Sequence, residues 1–299
     1  MIRAAIDRVG RAAANPAQAG FHLWSRLHRD SLFRRYRQRA LAAGLRRLFL
    51  IVSFDCDTEE DIRAAGEVQR RMRECGIPPC FAVPGELLAE GADTYRRIAA
   101  TGAEFLNHGN RRHTYFDTDA GAYRSCFFYD QQPLATIEDD IVAGDRAIRT
   151  VLGTAPQGFR TPHFGTFQNR AQLRFLHALL RRLGYRFSSS TSPFFAFSRG
   201  PVFDALGVKE FPVSGGGTRA LTIIDSWGCF ASPGHGLDVD DYFNETVGLA
   251  RRLAGGPGIL NYYADPSHVA GRPEFFAAMA ELARLAEPVT FAHLVSELQ

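Results

Sequence analysis

The sequence predicts an α/β protein in which βα units surround a parallel sheet or barrel. Three observations lead to this fold class. From Arg47 onward, short β-rich runs alternate with segments of helical periodicity. Several of these helical segments end near a glycine, a residue that commonly closes helices. The 299 residues, 45% hydrophobic and 22% charged, have the composition of a globular protein and can bury a large core.

Eight segments are predicted strands and six are predicted helices. The strands are 47–54, 79–85, 103–109, 157–162, 185–190, 208–214, 258–264 and 288–294. The helices are 59–75, 86–100, 134–152, 168–183, 239–254 and 273–286. Two stretches without clear periodicity, 115–133 and 214–238, each follow a strand. Because loops in these positions contact the substrate in a barrel, we expect both to border the functional site.

The first 48 residues are strongly basic. They contain eleven arginines and two aspartates, a net charge of +9, whereas the whole chain carries only +3. Segments 21–27 and 32–50 mix apolar and arginine positions at helical spacing. This pattern fits a helix on an anionic membrane surface, and it also fits a helix that covers an open side of the barrel, which we favour. We predict a basic helical N-terminal extension over 1–46 and a barrel over 47–299.

Composition also limits the partners and the compartment. The small overall charge does not indicate a nucleic-acid binder. Five cysteines, an odd number without disulfide spacing, fit a reducing compartment. The first 20 residues lack the apolar segment of a secretory signal, and the apolar run 48–52 is far too short to span a bilayer. These features predict a cytoplasmic protein, with membrane association through the extension as an open alternative.

The first strand ends in two carboxylates, Asp55 and Asp57. In strand geometry both would point to the same side, and two crowded negative charges require a cation or an arginine. The alternative is a simple helix start, because Thr58, Glu59, Glu60 and Asp61 favour a helix N-terminus. Taken alone, these residues leave both interpretations open.

Two histidines follow the third strand, His108 and His113. Histidine is a common ligand of metals such as zinc. A pair of loop histidines is often surface decoration, but here the aspartate pair lies one βα unit away. Two imidazoles and one carboxylate form a ligand set that leaves open positions for water and substrate. The combination therefore favours a metal site.

Two further strand ends bring polar groups to the same rim. The fourth strand ends in Arg160, which would hold an aspartate ionised by a bidentate bond or form an ordinary salt bridge. The seventh strand is followed by Asp265 and His268, a further acid and imidazole. In parallel α/β folds, catalytic groups collect at this end of the strands.

In this order the motifs resemble those of the polysaccharide deacetylase, or NodB-homology, family of carbohydrate esterases. SFDCD (53–57) is similar to its first motif, HGNRRH (108–113) to its second and FRTPHFG (159–165) to its third. The resemblance covers roughly residues 48–294. It implies a deformed, incomplete (β/α) barrel of about seven to eight parallel strands, and metal-dependent hydrolysis of an N-acetyl group on an amino sugar.

The resemblance also implies roles for individual residues. Asp57, His108 and His113 would hold a divalent metal, usually zinc, while Asp55 would be the general base and Arg160 would keep it oriented and charged. The metal would polarise the amide carbonyl and lower the pKa of its water. Candidate substrate-binding residues lie in the second and third motifs and in the loop 214–238: Arg111, Arg112, Pro162, His163, Phe164 and Trp227.

The chain departs from the family pattern at two places. The family spaces its metal-binding histidines four residues apart, whereas His108 and His113 are five apart, so the loop must bulge or another residue must complete the metal sphere. Where the family carries a histidine that protonates the leaving amine, this chain has Asp265, and His268 is the alternative acid. Asp225 to Trp227 only weakly resembles the motif that lines the family's acetyl pocket, and a buried loop tryptophan explains it as well.

Three functions follow from these observations. The first is removal of an N-acetyl group from an amino sugar in a cell-surface glycan precursor of the lipopolysaccharide, O-antigen or capsule type. A cytoplasmic enzyme would meet such a precursor as a sugar nucleotide or a lipid-linked sugar, whose phosphate Arg111 and Arg112 would contact. The alternatives are hydrolysis of a non-sugar amide, as in allantoinase-like relatives, and glycan binding without catalysis.

Overall fold

The computed structural model describes residues 16–231 and 237–298 of the chain. The first 15 residues of the predicted extension, and residues 232–236 of the predicted loop 214–238, lie outside the described residues. The strands are β1 (Leu48–Asp55), β2 (Cys80–Val83), β3 (Glu104–Asn107), β4 (Thr114–Asp117), β5 (Ala122–Ser125), β6 (Gly158–Arg160), β7 (Phe187–Ser189), β8 (Phe203–Ala205), β9 (Val208–Glu210), β10 (Gly258–Ala264) and β11 (Glu287–Pro288). The α-helices are α1 (Pro16–Leu27), α2 (Arg29–Ala42), α3 (Glu59–Glu74), α4 (Gly85–Glu90), α5 (Ala92–Ala99), α6 (Leu134–Leu152), α7 (Arg170–Arg182), α8 (Pro193–Ser198), α9 (Val239–Leu253), α10 (Pro266–Val269), α11 (Pro273–Leu285) and α12 (Phe291–Glu297).

The main sheet has the strand order β10-β1-β2-β3-β6-β7-β9-β8, with the short β11 beside β1. Every pairing in it is parallel except that of β8 with β9. Helices cover its outer face, and the carboxyl ends of the parallel strands lie at one rim. The predicted α/β class with a mostly parallel sheet is therefore confirmed.

Alternate residues of β1 fill the inside of the curved sheet. Phe49 and Ile51 pack in an interior cluster that also contains Phe187 and Phe291, whose rings stack at 5.2 Å. Helix α12 carries Phe291, so this helix closes the amino end of the barrel. Its first two N–H groups donate to the partly buried Glu104 carboxylate at 3.0 and 2.9 Å, where a negative charge stabilises a helix N-terminus.

The prediction of a last strand over 288–294 is wrong for most of its length. Only Glu287–Pro288 pairs with β1, and α12 follows. The Thr290 hydroxyl caps this helix by accepting the His293 N–H at 3.2 Å. The buried residues of this helix, Phe291, Leu294 and Val295, are spaced so that a helix places all three on one face. A strand would divide them between its two faces.

Two further differences concern predicted boundaries. The predicted helix 86–100 is two helices, α4 and α5, which meet at Gly91. The predicted loop 115–133 contains most of an antiparallel hairpin, β4–β5. The hairpin begins immediately after His113, and the Thr114 hydroxyl donates to the Asp57 carbonyl at 2.6 Å. It therefore borders the aspartate loop, as expected for this stretch.

The open edge of β10, which we call the seam, is covered from two sides. The Ser214 N–H donates to the Asn261 carbonyl at 2.8 Å, while the Asn261 N–H donates to the Ser214 hydroxyl at 2.9 Å. Further down, the Tyr36 hydroxyl accepts the Ile259 N–H at 3.0 Å and donates to the Ile259 carbonyl at 2.9 Å. Helix α2 carries Tyr36, so this part of the basic extension packs over the seam.

Candidate metal centre and active site

The loop after β1 brings a carboxylate to two imidazoles. Asp57 Oδ1 lies 3.5 Å from His108 Nε2 and 3.6 Å from His113 Nδ1. The three ligand atoms all lie within 4.8 Å of one another, and both imidazoles are buried. The predicted set Asp57, His108 and His113 thus meets at one point, although two separate loops of the chain supply it.

The polar atoms of this cluster fit a bound divalent metal. Within the described part of the chain, Asp57 Oδ1 and both ring nitrogens of His113 are buried and make no hydrogen bond. Buried polar atoms are rarely left without a partner. The His108 Nδ1–H donates to the Arg160 carbonyl at 2.8 Å. This bond fixes the tautomer and leaves Nε2 with a lone pair directed toward Asp57, and bonds of this kind orient the ring in metal-binding histidines.

The ionisation states agree with this donor set. Burial lowers the pKa of His108 to about 3, so its imidazole is neutral at physiological pH. Burial also disfavours the Asp57 carboxylate, but the adjacent His113 and His108 outweigh it and hold the pKa of Asp57 well below its usual range. A neutral imidazole and an ionised carboxylate are the forms that bind metals.

The loop 108–113 accommodates its five-residue histidine spacing through backbone contacts. Gly109 adopts a left-handed conformation, φ +77°, and its N–H donates to Asn107 Oδ1 at 2.9 Å. The Arg111 N–H donates to Asp140 Oδ1 at 2.8 Å. At the end of the loop, the His113 carbonyl accepts the Cys126 N–H at 2.6 Å. The bulge that the spacing requires is therefore held in place at its start, middle and end.

Helix α6 lies directly beneath this loop. Its buried Asp140 accepts the Tyr129 hydroxyl at 2.6 Å as well as the Arg111 N–H. The approach is close, because a Cβ on Gly109 would lie 2.3 Å from Asp140 Oδ2, and a Cβ on Gly144 would lie 2.4 Å from the Gly109 carbonyl oxygen. Glycine is required at both positions for the loop to rest on the helix.

Asp55 lies at the end of β1 against a buried arginine. Arg160 Nη1 donates to Asp55 Oδ1 at 3.0 Å, and Nη2 donates to the Ser53 hydroxyl at 2.5 Å. The rings of Phe164 and Tyr263 lie 4.9 and 5.4 Å from the guanidinium carbon. Arg160 is thereby fixed between two aromatic rings and the strand, and it in turn orients Asp55.

The carboxyl of Asp55 is nevertheless strongly perturbed. Burial raises its pKa to about 8, because the loss of solvation, together with the neighbouring charges of Asp57 and Asp265, outweighs the attraction of Arg160. The arginine therefore orients this group without holding its pKa low in the metal-free chain. Perturbed titratable groups of this kind concentrate at catalytic sites.

A second carboxylate and imidazole pair stands at the turn after β10. His268 Nδ1 lies 2.9 Å from Asp265 Oδ2, and the Asp265 N–H donates to the Ser226 hydroxyl at 2.8 Å. Burial alone would lower the pKa of His268, but Asp265 raises it above the ordinary 6.5. The pair thus orients one imidazole and favours its protonated form, and the Trp227 ring lies 5.8 Å from it.

The remaining predicted substrate-binding residues have varied surroundings. Pro162 is buried and Phe164 packs on Tyr263 with ring centroids 4.8 Å apart. The His163 ring donates to the Cys126 carbonyl at 2.7 Å, so it braces the end of the histidine loop.

The two predicted phosphate contacts already have partners. The Arg111 guanidinium lies 5.0 Å from the Phe127 ring centroid, and the Arg112 guanidinium pairs with Glu59 and Glu90. These ion pairs compete with a phosphate contact by Arg112, so the structure gives that prediction no support.

Some contacts of the site were missed at the level of sequence. Asp61 accepts the N–H groups of Asp57 and Thr58 through one oxygen, and the Ser267 N–H through the other at 2.9 Å. It therefore ties the first candidate loop to the Asp265 turn. The sequence signal for this contact is the capping box formed by Thr58 and Asp61. The segment after β1 is indeed a helix start, because β1 ends at Asp55 and Asp57 lies in the turn before α3. The helix start and the cluster of Asp57 with the two histidines therefore occur together.

Comparisons with known proteins find similarity over part of this chain. A family model described as polysaccharide deacetylase matches residues 52–188. This segment contains Asp55, Asp57, His108, His113 and Arg160. No curated protein matches the chain.

Solved structures share the fold at low sequence identity. A Pseudomonas aeruginosa PAO1 protein described as a polysaccharide deacetylase has a TM-score of 0.62 at 11% identity, covering 85% of this chain and 91% of its own. A Mycobacterium smegmatis protein with the same description has a TM-score of 0.60 at 19% identity, with coverage of 85% and 90%. Puue allantoinase has a TM-score of 0.61 at 11% identity, with coverage of 84% and 90%. The family match and the order of the three motifs within it place this part of the chain, residues 52–188, in the polysaccharide deacetylase family.

Proposed function

We propose that the protein is a metal-dependent hydrolase that removes an N-acetyl group from an amino sugar. One observation carries the proposal: the buried, unpaired donors of Asp57, His108 and His113 stand beside the oriented carboxyl of Asp55. Two imidazoles and a carboxylate suit zinc and other divalent first-row ions, and zinc is the ion we propose.

The residues divide the chemistry among them. A bound divalent ion supplies Lewis acidity, which polarises the amide carbonyl and acidifies a water molecule. Asp55, held by Arg160, accepts the proton of the attacking water. His268, protonated and oriented by Asp265, delivers a proton to the leaving amine through Nε2, since Nδ1 is bonded to the carboxylate. The carboxyl Asp265 is thus the orienting group and His268 the general acid.

The substrate we propose is a precursor of a cell-surface glycan, of the lipopolysaccharide, O-antigen or capsule type. The catalytic unit we propose is the barrel over 47–299 together with the extension 1–46, whose described part, 16–46, packs on the barrel. The compartment we propose is the cytoplasm, with contact to the membrane. We assign sugar contacts to Phe164, which packs on Tyr263, to Trp227, which lies beside His268, and to the loop that carries Arg111. Among the described helices, none has the length and the apolar character needed to cross a bilayer.

The test combines metal analysis with acetate release from a panel of N-acetylated amino sugars and ureides. Asp55→Asn should retain the metal and lose turnover, because Asp55 is not a ligand. Asp57→Ala should lose both. Asp93→Asn is a control, since Asp93 is an exposed acid on α5 that pairs with Arg96 away from the candidate site.

Three outcomes would contradict the proposal. Turnover of ureides alone would indicate a non-sugar amidase. Sugar binding without acetate release and without metal would indicate a glycan-binding protein. Full activity of both Asp55→Asn and Asp57→Ala would refute the assigned roles.

A further inference from the structure

Helix α1 has two apolar faces. Phe21 and Trp24 face inward and pack against the core, and the Phe21 ring lies 5.3 Å from that of Phe194. Leu23 and Leu27, one helical turn apart, face outward and are 63% and 70% exposed. A surface helix normally presents polar residues on its outer side, so the outward leucines need an explanation.

The surface around these leucines is basic. Arg26 lies between them in sequence and is exposed, and Arg34 is exposed on the neighbouring helix α2. The guanidinium of Arg35, also on α2, lies 4.8 Å from the Trp24 ring instead. Residues 16–48 contain eight arginines and one aspartate, a net charge of +7. That aspartate, Asp30, pairs with Arg252 of the barrel at 2.9 Å. The face that combines Leu23, Leu27, Arg26 and Arg34, which we call the outer face, therefore keeps its positive charge.

The outer face stands at the same end of the barrel as the candidate active site. Helix α8 begins shortly after β7 ends at Ser189, so Phe194 lies at the carboxyl end of the strands. Phe21 packs on it, and the Arg29 guanidinium donates to the Gly217 carbonyl in the loop beyond β9. Asp55 ends β1 at that same rim. Helix α1 thus lies at the same end of the barrel as the candidate site.

We propose that the outer face docks on an anionic phospholipid membrane and turns the opening of the active site toward the lipid surface. Leucines beside arginines are the composition of helices that lie in the membrane interface, and arginines near an anionic leaflet are each attracted to it. Two leucines flanked by charges form too small an apolar patch for a stable protein interface, which buries at least about 1,200 Å². A bilayer requires no such area.

Docking would give the active site access to a lipid-linked sugar whose anchor stays in the bilayer. That consequence rests on the proposed function, whereas docking itself does not. Vesicle binding of the metal-free protein measures docking alone, so its failure would leave deacetylation of soluble sugars unaffected.

The experiment is sedimentation with vesicles of phosphatidylcholine, with and without an equal part of phosphatidylglycerol. Wild-type protein should bind the anionic vesicles and bind the neutral ones much more weakly. The double variant Leu23→Gln with Leu27→Gln should bind about tenfold more weakly, from the lost apolar burial. The double variant Arg26→Gln with Arg34→Gln should weaken binding to a similar extent, about tenfold, on anionic vesicles only.

Leu206→Gln is the matched control. Leu206 is 44% exposed, and it lies in the β8–β9 turn at the opposite end of the barrel. The Leu206→Gln variant should bind vesicles as tightly as the wild-type protein does. All the replaced side chains are exposed, so circular dichroism and the melting temperature should stay unchanged.

Equal binding by wild type and the leucine variant would overturn the proposal, as would equal binding to neutral and anionic vesicles. The proposal would also fail if the wild-type protein did not bind vesicles and light scattering showed a wild-type dimer but a monomeric leucine variant. That result would show that the outer face binds a second copy of the chain instead.

Discussion

Replacing Tyr129 with phenylalanine should weaken metal binding by loosening the loop that carries the histidines. The Tyr129 hydroxyl donates to one Asp140 oxygen at 2.6 Å, and the other oxygen accepts the Arg111 N–H at 2.8 Å. Both side chains are buried beneath the turn from His108 to His113. Without the hydroxyl, a buried carboxylate oxygen loses its donor, and the contact that fixes the middle of the turn is free to shift.

The size of the effect follows from the bond that is lost. A hydrogen bond to a charged group contributes about 1.5–3 kcal/mol to stability. Changes in groups that orient metal ligands typically lower metal affinity about 10- to 100-fold. We expect an affinity loss of about tenfold, at the lower end of that range, because Tyr129 acts through Asp140 and the backbone and does not contact an imidazole.

Metal affinity is measured by competition with a chelating dye, well below the melting temperature. Tyr242→Phe is the matched control, because Tyr242 is equally buried and its hydroxyl makes no hydrogen bond within the described part of the chain. It should leave the affinity unchanged. A Tyr129→Phe protein that is destabilised but binds metal as tightly as wild type would refute the reasoning, since the pair would then support only the fold.

Three other outcomes follow from the structure. Asp265→Asn removes the charge that raises the pKa of His268. A general acid works only while protonated, so activity falls as pH rises through the pKa of His268. In the variant that pKa is lower, and the alkaline limb of the pH–rate profile should move to lower pH. An unmoved limb would contradict the assignment of His268. Gly144→Ala should destabilise the fold by about 1–3 kcal/mol through overpacking. Its control, Gly66→Ala, should stabilise the fold by about 0.5–1 kcal/mol, because a Cβ on Gly66 meets nothing within 4 Å. Equal shifts of the two variants in urea denaturation would rule out the close approach of the histidine loop and α6. Arg160→Lys should lower kcat about 100-fold through misplacement of the base Asp55, since one ammonium cannot reproduce the guanidinium fork. The metal content of this variant should stay at the wild-type level. Near-normal turnover would exclude the orienting role of Arg160.

The fold could be predicted from the sequence where burial is continuous. Strands covered on both faces leave unbroken apolar runs such as 48–52, and helices between them complete the βα pattern. The segment 288–294 was misleading because its β-forming residues also fit a helix that begins at Thr290. The hairpin 114–125 leaves no apolar period, since most of its residues are exposed or only partly buried.

The candidate site could be predicted only in part, for a geometric reason. Parallel strands end at one rim, so metal-binding residue types at several strand ends can be expected to meet, and Asp57, His108 and His113 do. The groups that support them come from elsewhere. Tyr129 and Asp140 belong to a turn and a helix that precede β6, and nothing in their local sequence distinguishes them from other tyrosines and acids. Their pairing becomes visible only once the chain is folded.

The contact of Tyr36 with the edge of β10 has a consequence for handling the protein. One hydroxyl from the extension satisfies both backbone groups of Ile259, which otherwise face outward from the open edge of β10. A shortened chain that starts at residue 47 would expose that edge to strands of other molecules, the usual beginning of aggregation. Insolubility of such a fragment would therefore reflect a missing cover and carry no information about the catalytic residues.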